Sequence, residues 1–179
     1  ETGIYSSGCL KSNYSDECFD DVYCTSVEKG VTPTFPLTIW YQETDASNYA
    51  RYDGQNISNV HDFGINLPEI YFNFTAQLNW LIDKIAVPDY ISSCTLTSFN
   101  VSKSEVSTNL NLWNTVVDYL LGTSESTTLS IQNNTNLFKS IQWAAKFQGG
   151  SGACNSVNGL KNGLSYYTKT LRNYKHILA

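Results

Sequence analysis

The chain has 179 residues, of which 41% are hydrophobic, 13% are aromatic and 15% are charged. This length fits a single domain with a proper core, and the aromatic content argues against disorder, which needs low hydrophobicity and a high net charge. No apolar run approaches the roughly 20 residues of a membrane span. We therefore expect any link to a membrane to lie in a segment outside this sequence.

The first half of the chain predicts few regular elements. Residues 1–30 form a cysteine-rich, acidic segment, and residues 31–148 form the body of one secreted unit. Apolar residues alternate over 34–41, which predicts a strand, and Pro36 places that strand at the start or edge of a sheet. The polar residues 43–68 predict a long loop, a kind of segment that is usually functional or mobile.

Stronger patterns follow in the middle of the chain. Residues 69–75 alternate as a strand does, and residues 76–86 carry apolar side chains at helical spacing. Residues 95–101 predict a third strand. Residues 104–121 predict a helix, and the next residue, Gly122, has the character of a C-cap.

The last third predicts a short strand at 127–132 and a helix capped by Asn136. Gly149-Gly150-Ser151-Gly152 has the composition of a flexible linker introduced by design, which would have replaced a natural segment. Residues 153–179 then carry the C-terminal helix, whose apolar residues step by three and four. This seam is more typical of a packed core face than of a coiled-coil partner site. Its members are Val157, Leu160, Leu164, Tyr167, Leu171, Tyr174 and Leu178.

These elements together predict an α+β fold. A small, mainly antiparallel sheet would be packed by about four helices, one of them the long C-terminal helix. A mainly α-helical bundle is the alternative.

Five Asn-X-Ser/Thr triplets indicate a secretory, glycosylated protein, since an N-linked glycan requires this motif on a solvent-facing asparagine. In two of them the asparagine lies opposite its apolar neighbours in a predicted strand, at Asn73 between Phe72 and Phe74 and at Asn100 between Phe99 and Val101. The five acceptors are Asn13, Asn56, Asn73, Asn100 and Asn133.

Five cysteines point to disulfide bonds rather than to zinc, because no Cys-X2-Cys pair is present and the chain has two histidines. The odd number leaves one cysteine free or paired with a thiol elsewhere. We expect one local pair near the N-terminus and a second pair that ties this region to the body through Cys94 or Cys154. The cysteines are Cys9, Cys18, Cys24, Cys94 and Cys154.

The charges are distributed unevenly. All sixteen acidic residues lie at or before Glu125, whereas residues 126–179 carry six basic residues and no acidic one. One interpretation is a basic face that includes Lys169, Arg172 and Lys175 and binds a sulfated glycan, an anionic lipid surface or an acidic protein. The other is that these bases lie beside the acidic part of the same domain. The negative net charge and the expected compartment argue against nucleic acid as a partner.

Catalytic motifs are weak. His61 in the long loop and His176 near the C-terminus could serve a hydrolase, but no nucleophile elbow, phosphate loop or cluster of metal ligands accompanies them. We therefore expect no catalytic residue, no metal and no cofactor. Tyr49 and Tyr52 in the loop are candidate binding residues, because tyrosine anchors many protein interfaces.

The sequence thus predicts a non-enzymatic extracellular domain, either secreted or displayed on a cell or virion surface, that binds a receptor or another surface protein. The attachment domain of a viral envelope glycoprotein and a parasite or invertebrate surface antigen both fit this description. Two alternatives come from other classes of protein. One is a small secreted hydrolase, and the other is a helical carrier of a lipid or another ligand.

Overall fold

The computed structural model describes residues 3–4, 10–11, 14–44, 65, 67–70, 73–86, 88–106, 111–132 and 135–178. The chain divides into two compact units, unit 1 with residues 1–87 and 173–179, and unit 2 with residues 88–172. The described residues form six α-helices and two separate two-stranded antiparallel sheets. The α+β class with a long C-terminal helix is therefore confirmed, with more helices than the four expected.

Unit 1 is built mainly from helices. The end of α1 is fixed by Gly30, whose positive φ of 71° allows the Val31 N–H to bond the Ser26 carbonyl at 2.9 Å. Helix α1 packs against both α2 and α3, and Lys29 forms an ion pair of 2.6 Å with Asp83 of α3. The elements are β1 (Gly3–Ile4), β2 (Leu10–Lys11), α1 (Tyr14–Glu28), α2 (Thr34–Thr44) and α3 (Phe74–Ala86).

The strand predicted over 34–41 is wrong, because this segment is helix α2. Pro36 lies in the first helical turn, where its missing N–H costs nothing, and the Leu37 N–H bonds the Pro33 carbonyl at 3.1 Å. Five consecutive residues from Pro36 to Trp40 are buried. A segment that is buried on every side has no polar face, so its alternating pattern could not distinguish a strand from a helix.

The strand predicted over 69–75 is also wrong. The described residues there are a short 3₁₀ helix, Pro68–Ile70, and the first turn of α3. The helix predicted over 76–86 is confirmed as the body of α3, since Leu78, Leu81 and Ile82 are all buried.

Unit 2 contains a hairpin and three helices. Strand β3 pairs with β4 so that Asn100 lies opposite Thr128, which confirms the two strands predicted at 95–101 and 127–132 within a few residues. The elements are β3 (Ser98–Ser102), α4 (Asn111–Leu121), β4 (Ser126–Ser130), α5 (Thr135–Gly149) and α6 (Val157–Leu178), of which residues 173–178 belong to unit 1. Short 3₁₀ helices lie at Pro88–Ile91, Lys103–Glu105 and Ala153–Asn155.

The core of unit 2 joins the inner face of the hairpin to the three helices. Phe99 of β3 meets Phe138 of α5 edge to face, with ring centroids 5.9 Å apart. Leu160 and Leu164 of α6 are fully buried in the same cluster. The seam of α6 thus contributes to the core in its first half, although its first residue, Val157, is 44% exposed.

The start of α4 differs from the prediction. The helix was expected to begin at Ser104, but residues 103–105 form a 3₁₀ turn, Val106 is extended and α4 begins at Asn111. Its predicted end is confirmed, because Gly122 has a φ of 75° and its N–H bonds the Asp118 carbonyl at 2.8 Å.

Two glycines of α6 permit close backbone packing. A Cβ on Gly163 would lie 2.7 Å from the Ile141 carbonyl oxygen and 2.7 Å from the Ala145 Cβ of α5. A Cβ on Gly159 would lie 1.8 Å from the Ala153 carbonyl oxygen. Glycine weakens a helix by about 1 kcal/mol relative to alanine, but here it lets α6 approach its neighbours.

Candidate glycosylation sites and binding surface

Asn73 caps the N-terminus of α3. Its side-chain oxygen accepts the Ala76 N–H at 3.0 Å, which is the bond that an N-cap residue makes. The residue is exposed, as is Thr75, the third residue of the sequon. The sequence predicted a solvent-facing Asn73 from the alternation of a strand. Its exposure arises instead from its position as a helix cap.

Asn100 lies at the centre of β3. Its neighbours Phe99 and Val101 are buried, and Asn100 itself is exposed, as the alternation predicted. The Thr128 hydroxyl of β4 donates a hydrogen bond to the Asn100 side-chain oxygen. This bond engages the carboxamide oxygen and not Nδ2, the atom to which an N-linked glycan attaches.

The remaining acceptors, Asn13, Asn56 and Asn133, lie outside the described residues. The same holds for the loop tyrosines Tyr49 and Tyr52, so their predicted roles stay predictions.

Cys94 and Cys154 form a disulfide bond with Cα atoms 5.3 Å apart. The bond joins the segment before β3 to the 3₁₀ helix before α6, and both cysteines belong to unit 2. The expectation that one of these cysteines is bonded to the N-terminal cluster is therefore wrong. Cys24 of α1 is buried and disulfide-bonded, whereas Cys9 and the Cys18 side chain lie outside the described part.

The hairpin end near Ser102 is held by charged groups. Glu105 accepts the Ser102 N–H at 2.7 Å and pairs with Lys161 of α6 at 2.5 Å. The hydrogen bond from Lys161, followed by those from Ser102, lowers the pKa of Glu105 from its ordinary value of 4.5 to about 2. Lys103 bonds to Asp118 of α4 beside this network.

The predicted basic face is only partly available to a ligand. Lys161 is paired with Glu105, and Lys146 donates to the Tyr90 carbonyl at 2.6 Å while its Nζ lies 4.7 Å from the Tyr90 ring centroid. Lys169 and Arg172 are half-buried, and the side chain of Lys175 is outside the described set. Two of the six C-terminal bases are thus engaged within unit 2, and one of these two, Lys161, is paired with an acidic residue.

Tyr119 of α4 is the most exposed large hydrophobic residue among those described, at 86%. Its neighbour Tyr167 of α6 is half-buried, and burial, together with the proximity of Tyr119, raises the pKa of Tyr167 against a weaker opposing hydrogen bond with Ser140. Tyr119 is not among the binding residues that the sequence predicted. It lies two residues after Val117, off the apolar stripe of α4, which is the signal that could have identified it.

The two catalytic candidates, His61 and His176, stay predictions. His61 lies outside the described residues, and so does the side chain of His176. Across the residues that the structure describes, no group of three or more His, Cys, Asp or Glu side chains is arranged to hold a metal ion. Among the helices described, none combines the length and the apolar character needed to cross a membrane.

Comparison of the chain with protein-family profiles, with curated proteins and with solved structures finds no significant match in any of the three. Function must therefore be argued from the sequence and the structure alone.

Proposed function

We propose that this chain is a non-enzymatic extracellular glycoprotein domain that binds a protein partner at a cell or virion surface. The observation that supports this most is the exposure of both described sequon asparagines, Asn73 and Asn100, one in each unit. Each carboxamide oxygen is held by a hydrogen bond, which leaves the amide nitrogen for a glycan. The disulfide of Cys94 and Cys154 is typical of the same oxidising compartment.

The number of sequons favours a surface that is displayed to other cells. Five acceptors in 179 residues would cover much of a small domain with glycans. The attachment domain of a viral envelope glycoprotein and a parasite or invertebrate surface antigen are both proteins of this kind. In each case the proposed partner is a protein on the surface of another cell, so one experiment tests both.

Tyr119 is our candidate contact with that partner. An almost fully exposed tyrosine on a helix offers apolar area and a hydroxyl at little entropic cost, and tyrosine is enriched at the centres of interfaces. Its helix is anchored by buried Val117 and ends at Gly122, so the ring is presented from a fixed backbone.

The test begins with the protein secreted from a eukaryotic host and tagged for tetramer formation. Peptide mapping by mass spectrometry should find glycans at Asn73 and Asn100. The tetramer should capture a discrete membrane protein from host cells by proximity labelling, and Tyr119→Ala should reduce binding by at least tenfold.

The matched control is Asn114→Ala, an exposed position on the same helix, which should leave binding unchanged. Bare asparagines at every acceptor would refute the glycoprotein assignment. Binding that is the same for wild type and Tyr119→Ala would exclude Tyr119 from the interface, and the lack of any captured surface protein would contradict the binding function.

A further inference from the structure

The hairpin of unit 2 has two strands, and no third strand pairs with either of them in the part of the chain that the structure describes. Within the described ranges, each strand therefore has an outer edge without a partner strand. Such an edge is a template for pairing with another chain, so proteins usually protect it with charged residues, proline or a bulge.

The hydrogen-bond register shows which residues face the outer edge of β3. The Lys103 N–H bonds the Glu125 carbonyl at 2.9 Å, and the Ile131 N–H bonds the Thr97 carbonyl at 3.1 Å. Bonded pairs alternate with non-bonded pairs in an antiparallel ladder. Asn100 opposite Thr128 is consequently a non-bonded pair, and the backbone N–H and C=O of Asn100 point away from β4.

Among the described residues, the usual protection is missing at the centre of this edge. Neither strand contains a charged residue or a proline. At one end Glu105 already takes the Ser102 N–H, but the centre of the strand, at Asn100, has no such cover from a described side chain. The residues on the exposed face of the hairpin are small or neutral: Ser98, Asn100, Ser102, Ser126, Thr128 and Ser130.

A second copy of this chain fits the free edge by symmetry. If two β3 strands pair antiparallel about Asn100, the outward N–H and C=O of Asn100 in each copy bond those of the other. Opposed residues in a ladder lie on the same face, with Cβ atoms about 5 Å apart. Two N-linked glycans cannot both occupy that space.

We propose that the glycan on Asn100 protects the outer edge of β3 and prevents this chain from pairing with a second copy of itself. The inference rests on the glycosylation of the proposed function and assigns a role to one particular glycan. It makes Asn100 differ from Asn73, which caps helix α3.

The test compares two variants that remove this glycan by different routes. Asn100→Gln removes the acceptor, and Ser102→Ala removes the sequon but keeps the asparagine. Light scattering coupled to size-exclusion chromatography should give the monomer mass for the fully glycosylated wild type and at least twice the polypeptide mass for both variants. Thr75→Ala, which removes the Asn73 glycan, should remain monomeric.

A rescue variant separates loss of the glycan from damage to the fold. Asn100→Lys also lacks the glycan, but it places two like charges opposite each other in the self-pair and should be monomeric. The inference is overturned if Asn100 carries a glycan in the wild type while Asn100→Gln and Ser102→Ala are both monomeric. It is equally overturned if Asn100 is bare in a monomeric wild type. Neither result touches the binding measurement with Tyr119→Ala, so failure of the inference and failure of the proposed function are distinguishable.

Discussion

The contact of Gly163 with α5 shows how one missing Cβ determines helix packing. In Gly163→Ala the added methyl would meet the Ile141 carbonyl and the Ala145 backbone nitrogen at less than 3 Å. Backbone atoms cannot move aside as a flexible side chain can. Overpacking costs about 1–3 kcal/mol, and the better helix propensity of alanine returns about 1 kcal/mol. We expect a net loss of up to about 2 kcal/mol in the free energy of unfolding, measured by urea denaturation.

Gly152→Ala is the matched control for this prediction. Gly152 has a φ of −92°, and a Cβ there meets nothing within 4 Å. Its replacement should leave stability unchanged or raise it by up to about 1 kcal/mol. Equal stabilities for the two variants would mean that α5 and α6 are not in close contact at Gly163.

Glu105 gives stability a dependence on acid pH. Because its pKa falls from 4.5 to about 2 on folding, its contribution is present above the unfolded pKa and is lost as the pH falls through the folded pKa. Glu105→Gln should therefore be less stable than wild type at neutral pH, and the difference should vanish as the pH approaches about 2. The exposed position makes the effect small.

Urea unfolding at a series of pH values tests this prediction. Lys161→Gln removes the largest cause of the lowered pKa, and it should reduce the same pH-dependent difference. A difference between wild type and Glu105→Gln that is constant down to the lowest pH would contradict the account.

At the scale of elements, helix α2 offers a direct test of helix against strand. In the strand that the sequence predicted, Thr38 lies on the face opposite Leu37 and Ile39 and would tolerate a charge. In the helix Thr38 is 1% exposed, and its hydroxyl donates to the Phe35 carbonyl at 2.9 Å. Thr38→Glu should cost about 3 kcal/mol or more, since it buries an unpaired carboxylate.

Thr32→Glu is the control, because Thr32 is exposed and lies just before α2, where the helix dipole favours a negative charge. It should be neutral or slightly stabilising by thermal denaturation. If Thr38→Glu is tolerated equally well, the strand interpretation would have to be restored.

Elements with one buried face and one polar face could be predicted from the sequence. The apolar residues of α3 and of the first half of α6 repeat only at helical spacing. Those of β3 repeat only at strand spacing, since buried Phe99 and Val101 flank exposed Asn100. The prediction for α2 was wrong because this helix is buried on all sides. The helix cap at Asn73 was not predicted because the apolar residues beside it also fit a strand.

The candidate site was predictable to a smaller extent. Sequons are local motifs, so Asn73 and Asn100 could be identified from the sequence. Which backbone groups of β3 point away from β4 depends on the register of the two strands, and only their pairing reveals it. The position of Tyr119 off the apolar stripe of α4 could have indicated an outward side chain, but its exposure of 86% depends on how α4 packs against the rest of unit 2.

At the scale of the whole chain, the excess of positive charge after Glu125 is partly balanced inside unit 2. Lys161 pairs with Glu105, and Lys146 is held by Tyr90. A strongly anionic ligand therefore meets fewer available cations than the sequence count suggests. Lys139 is exposed and has no ion-pair partner among the described residues. Its replacement by a neutral residue therefore lowers the positive charge of this region without disturbing these contacts.

The disulfide of Cys94 and Cys154 closes a loop over 60 residues and encloses most of unit 2. Such a cross-link restricts the unfolded chain, and the entropy of closing a loop of this length corresponds to about 4 kcal/mol. The double variant Cys94→Ala/Cys154→Ala should therefore lose about 2–4 kcal/mol in unit 2. Hydrogen exchange followed by mass spectrometry measures this locally. Peptides from β3 and α5 should lose protection. Peptides from α2 in unit 1 serve as the internal reference. Unchanged protection of β3 and α5 would show that the fold of unit 2 does not depend on this bond.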